Sequence, residues 1–150
     1  YRSGNFERIE GWLNAKNSPL VSNRLARNLS NTQPVGCCTM ERFGTKVSLM
    51  CFMTDDKEWL HLFIMPKDSV KFVDSSDLRY LNQGDMRIAR WTDSDNAYFL
   101  VSDANNPELA TRFFWRSLHT NFYNSQQFLH LLDCIQSVRQ KPKQVGIVLF

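Results

Sequence analysis

The stretch Lys46-Val47-Ser48-Leu49-Met50-Cys51-Phe52-Met53-Thr54-Asp55-Asp56-Lys57-Glu58-Trp59-Leu60-His61-Leu62-Phe63-Ile64-Met65-Pro66 decides the fold. It consists of two apolar runs with a polar turn, Asp55-Asp56-Lys57, between them. The first run is built from Val, Leu, Cys, Phe and Met, and the second from Trp, Leu, Phe, Ile and Met around His61. They are too short for typical helices, and this predicts two strands joined as a hairpin. Val47, Leu49, Cys51 and Met53 fall on one side of the first strand, and Met50 and Phe52 on the other. In the second strand, Trp59, His61, Phe63 and Met65 alternate with Leu60, Leu62 and Ile64. Neither strand has a polar face, so both faces of the sheet must be covered.

Upstream, residues 37–42 read as a third strand, turning at Phe43-Gly44-Thr45. The three strands then form an antiparallel meander. Residues 5–16 read as a short helix in which Phe6, Ile9 and Leu13 share a face, and Asn17-Ser18-Pro19 ends it. A second short helix is expected over residues 20–29, with a polar loop over 30–34. Downstream, residues 67–84 read as a loop with a short helical turn. Residues 86–92 and 96–101 form a second hairpin around Asp93-Ser94-Asp95. Asn106-Pro107-Glu108 marks a helix start, and Phe128, Leu131, Leu132, Ile135 and Val138 give residues 126–140 an amphipathic helical pattern. The fold class expected is α+β: a mainly antiparallel sheet of about five strands, short N-terminal helices, and one or two C-terminal helices. Residues 1–118 form one α+β domain. Residues 119–150 form a helical extension, either a partner-binding tail or a non-native one.

Composition narrows the function classes. The chain has 150 residues, 43% hydrophobic and 22% charged, which suits a single globular domain. No apolar run approaches the ~20 residues of a membrane span. Net charge is +3, divided as +4, −3 and +2 over successive thirds of the chain. No third carries the basic surface that nucleic-acid binding requires. The four cysteines, Cys37, Cys38, Cys51 and Cys134, are too few for a disulfide scaffold and contain no C-x-x-C pair. There is no P-loop, dinucleotide fingerprint or nucleophile elbow, and no enzymatic activity is expected. Asp93-Ser94-Asp95-Asn96 reads as a turn rather than a calcium loop, since it lacks the glycine and the distal glutamate.

A set of ordered pieces carries a family resemblance. Gly11-Trp12-Leu13 is followed by Gly36-Cys37, then by Gly44, Val47-Ser48-Leu49-Met50-Cys51-Phe52 and His61-Leu62-Phe63-Ile64. Ala89-Arg90-Trp91 and Tyr98-Phe99-Leu100-Val101 come last. From Gly11 to about Ala104 the chain resembles the extracytoplasmic C-terminal domain of bacterial anti-sigma-factor-like membrane regulators, most specifically between Gly36 and Ile64. The resemblance implies a sensory or interaction module with a protein partner and no catalytic residues. It also implies a location on the extracytoplasmic, periplasmic face of an inner membrane, tethered by a helix upstream of Tyr1. The adjacent Cys38 and the tail beyond His119 depart from the pattern. Two rivals stand beside this reading: a small redox or metal-binding protein, and a stand-alone cytoplasmic homodimer joined through its C-terminal helix.

The redox or metal rival rests on Cys37, Cys38, Cys51 and His61. A three-residue turn at residues 55–57 makes paired positions sum to 112 and sets Cys51 opposite His61. For the first hairpin, a two-residue turn at Gly44-Thr45 sets Cys38 opposite Cys51, and a three-residue turn sets Cys37 there. Neighbouring residues point to opposite faces, so only one of the two can meet Cys51. Directly opposed Cβ atoms lie about 4.5–5.5 Å apart, so a Cys-Cys-His row would suit zinc or copper(I). No other cofactor is expected. The competing reading is that these thiols simply fill the core.

Overall fold

The computed structural model describes residues 1–21, 32–42, 44–70, 79–83 (as backbone) and 86–103. They form one N-terminal helix and one antiparallel sheet. Helix α1 is Phe6–Ala15. The strands are β1 (Gln33–Arg42), β2 (Thr45–Met53), β3 (Trp59–Pro66), β4 (Arg79–Gln83), β5 (Met86–Thr92) and β6 (Asn96–Asp103). Their order across the sheet is β1-β2-β3-β6-β5-β4, with every neighbouring pair antiparallel. The sheet is thus a meander and a second three-stranded unit, joined where β6 pairs with β3.

Helix α1 starts where the sequence predicts. The Asn5 side chain accepts a hydrogen bond from the Arg8 amide at 2.9 Å, and Glu7 sits in the positive first turn. It ends at Lys16, and Asn17 takes a left-handed φ of 48°, a conformation asparagine tolerates. Ile9 and Leu13 point into the sheet and are fully buried.

The strands confirm the alternation. One face carries Met50, Phe52, Leu60, Leu62, Ile64, Tyr98 and Leu100 against Ile9 and Leu13. The other carries Val47, Leu49, Cys51, Phe63, Met65, Ile88, Phe99 and Val101. Both sets are buried, as the two-sided apolar pattern requires. The segment after α1 ties the first face down. Ser48 Oγ donates to the Pro19 carbonyl at 2.6 Å, Asn96 Nδ2 to the Leu20 carbonyl at 3.2 Å, and Lys46 Nζ to the Lys16 carbonyl at 2.8 Å.

Three expectations change. β1 begins at Gln33, inside the stretch read as a polar loop; Pro34 is tolerated there because β1 is an edge strand. Arg79–Gln83 is a strand, β4, within the stretch read as a loop after the short Lys67–Ser69 helical turn, which brings the strands among the described residues to six where about five were expected. The first hairpin takes neither register considered above. Cys38 pairs with Leu49 and Arg42 with Thr45, so the turn is residues 43–44, with Gly44 at φ 71°. Expectations for residues 22–31 and for everything after Asp103, including Cys134, His119, His130 and the C-terminal helices, lie outside the described residues.

Candidate functional site

The four sequence-predicted site residues separate by strand parity. Cys37 faces the α1 side and is buried there. Cys38 and Cys51 face the opposite side. With the observed register, Cys51 lies opposite Gly36 on β1 and opposite His61 on β3. The second pairing is the one the 112 sum gives. The first is not, because Arg42 pairs with Thr45 and paired positions from there to Gly36 sum to 87 rather than 88 or 89. Cys38, opposite Leu49, is diagonal to Cys51 on the shared face.

The structure therefore brings Cys51 and His61 together. Cys51 Sγ lies 3.4 Å from His61 Nδ1. Trp59, two residues before His61 and on the same face, stacks parallel to the imidazole, with ring centroids 6.2 Å apart and planes 4° apart. Burial pushes the Cys51 thiol up to about 12, with Cys38 and Cys37 adding to the rise. A protonated thiol can donate in this contact, and the donor and acceptor roles follow the imidazole tautomer.

Burial also raises the other two thiols. Cys37 rises to about 11, with the Tyr1 amine pulling the opposite way. Cys38 rises for the same first reason. All three are free thiols. The thiolate is both the nucleophile and the metal ligand, and around neutral pH these side chains are held in the other form. Among the described residues, no group of three or more His, Cys, Asp and Glu side chains is arranged to hold a metal ion.

A second constellation escaped the sequence reading. The first three residues lie along the outer edge of β1. The Tyr1 amine donates to the Cys37 carbonyl at 2.9 Å, the Cys37 amide to the Tyr1 carbonyl at 2.8 Å, and the Ser3 amide to the Val35 carbonyl at 3.2 Å. Arg2 is bridged antiparallel to Gly36. The Tyr1 ring stacks on Trp12 of α1, with centroids 5.5 Å apart and planes 6° apart, and Lys16 Nζ lies 5.8 Å from the Trp12 ring centre. Gly36 makes this possible: a Cβ there would lie 2.5 Å from the Tyr1 carbonyl oxygen and 3.3 Å from the Arg2 Cα. In the sequence Tyr1-Arg2-Ser3 is too short and polar to show a strand period; the one available signal was Gly36 inside a strand pattern, which marks a bulge or a close backbone approach.

No family model, no curated protein and no solved structure matches this chain. Among the described residues, no helix is long and apolar enough to cross a membrane.

Proposed function

We propose that this chain is a non-enzymatic regulatory or sensory module, of the type found in the extracytoplasmic domain of anti-sigma-type transmembrane regulators. The observation that carries the reading is the use made of Gly36. The resemblance is most specific from Gly36 to Ile64, a segment that spans β1 to β3. The glycine opening it is where the lead-in residues Tyr1 and Arg2 cross the sheet edge. A tether arriving from a membrane helix would thus feed into the sheet, giving a signal at the tether a direct mechanical route to the domain. The proposal includes the full α+β class, with helices following β6, a protein partner, and an extracytoplasmic location.

The test is topological. The complete coding sequence should place an apolar segment of ~20 residues before Tyr1, and a reporter fused behind the chain should be active only outside the cytoplasm. A complete gene without that segment, or a reporter active in the cytoplasm, overturns the reading.

A second reading is favoured by the Cys51–His61 contact alone. The pair offers one sulfur and one nitrogen to zinc or copper(I), or one thiol to redox chemistry. Metal analysis and thiol titration of protein purified without reductant decide it. Bound metal, or fewer than four titratable thiols in the denatured chain, would establish this reading; four thiols and no metal would remove it.

A further inference from the structure

We propose that Cys51 and His61 form a binding site for a single copper(I) ion, set among the apolar residues of the second sheet face. The inference rests on the metal reading of this pair and narrows it to one ion in one oxidation state.

The two donors already stand at the separation a shared ion requires. Bonds of about 2.3 Å to sulfur and about 2.0 Å to imidazole nitrogen set two ligands of one tetrahedral ion roughly 3.5 Å apart. Cys51 Sγ and His61 Nδ1 lie 3.4 Å apart. The fit follows from the register, since the two residues are direct cross-strand partners on β2 and β3 and share a face. Trp59, stacked on the imidazole with planes 4° apart, fixes the plane in which Nδ1 meets the sulfur.

Donor number and burial select the ion. Among the described residues, no third His, Cys, Asp or Glu side chain joins the pair in an arrangement that holds a metal. Zinc takes four ligands, whereas copper(I) is satisfied by roughly two or three soft ones. Cys51 is 4% exposed, and Leu49, Phe63 and Val101 are buried in the same cluster. An ion bound there is costly if it brings net charge into this apolar layer. Copper(I) displaces the Cys51 thiol proton to solvent and meets one thiolate and one neutral imidazole, so the complex is uncharged. No electron is transferred in this step. Zinc on the same two donors would leave one positive charge buried. His61 is only partly buried, which leaves the ion a route in. Cys37 sits on the opposite face. Cys38 lies diagonal to Cys51 rather than opposite it, so its loss should matter less.

The test uses the full chain, reduced and metal-free, under anaerobic conditions. Copper(I) is titrated against bicinchoninate, and zinc against a chromophoric zinc chelator. One copper(I) should bind per chain, at least a hundredfold more tightly than zinc. X-ray absorption of the unmutated copper(I) protein should show both sulfur and nitrogen bound to copper. Cys51→Ser and His61→Gln should each weaken copper(I) binding at least a hundredfold, Cys38→Ala less than tenfold, and Cys37→Ala less than threefold. Zinc bound as tightly as copper(I) overturns the inference and leaves the wider metal reading standing. Neither ion bound overturns both. Copper held by sulfur alone, or bound undiminished in both the Cys51 and His61 variants, places the ion on other thiols and overturns the inference. Should the variants fail to fold, the absorption spectrum of the unmutated protein decides.

Discussion

The two faces of the sheet are drawn from the same strands and are equally apolar, yet the described residues close them differently. On the first face, α1 supplies Ile9 and Leu13, and polar groups stitch the segment after it to the strands through Ser48, Asn96 and Lys46. Phe6 stacks on Phe52 across the seam, and Trp91 stacks on its cross-strand neighbour Tyr98 within the sheet. On the second face the described partners are rim residues of the sheet itself, Cys38, Met40 and Trp59, together with Val70. Its interior polar feature is the Cys51–His61 contact. Hydrophobic alternation makes two equivalent surfaces; hydrogen bonds between elements decide which one is fastened to a particular partner.

The sharpest way to break that comparison is to remove an equal side chain from each face. Phe52 and Phe63 are both almost fully buried. If the two faces are equally core in solution, Phe52→Ala and Phe63→Ala should each cost about 3–5 kcal/mol in urea unfolding. A loss under about 1 kcal/mol for Phe63→Ala alone would show that the second face is open to solvent in the isolated chain.

The thiols give a subtler comparison, since each face carries one that is deeply buried. The folded pKa of Cys51, about 12, and of Cys37, about 11, lie above the ~8.5 of an unfolded thiol. Each therefore contributes stability that is fully present below about pH 8.5 and is lost as pH rises toward the folded value. Between pH 8.5 and 10 the loss should be about 1–2 kcal/mol per thiol. Cys51→Ala and Cys37→Ala should flatten the profile by similar amounts. A profile unchanged by Cys51→Ala would mean that water reaches the second face.

Much of this was legible in the residues, and the failures have physical causes. The alternation in β2 and β3 is strong because no polar residue dilutes it, so both the strand pair and the Cys51–His61 opposition followed from counting across residues 55–57. The first hairpin did not yield to the same counting. Gly44 supplies a positive φ at the second turn position rather than the first, which shifts the register by one or two and moves Cys51 from a cysteine to Gly36. β4 was missed because Arg79, Asn82 and Gln83 interrupt any apolar period; its pairing with β5 defines it instead. The edge segment at Tyr1 was invisible for a related reason, being held by main-chain bonds that any sequence can make. What a side-chain pattern encodes is burial, and what it leaves out is backbone pairing at an edge.

The smallest of the expected effects isolates the cover of the first face. Asn5 caps α1 through its side-chain oxygen, an exposed contact that touches neither core cluster. Asn5→Ala removes that acceptor from the Arg8 amide and should cost about 1 kcal/mol. The loss must travel through α1 to the first face alone, so amide exchange should quicken within Phe6–Ala15 while Phe63 and Phe99 on the second face keep their protection relative to the global stability. Equal acceleration on both faces would mean that the helix and the second face open as one unit, and that the division between the faces is one of wiring and not of cooperativity.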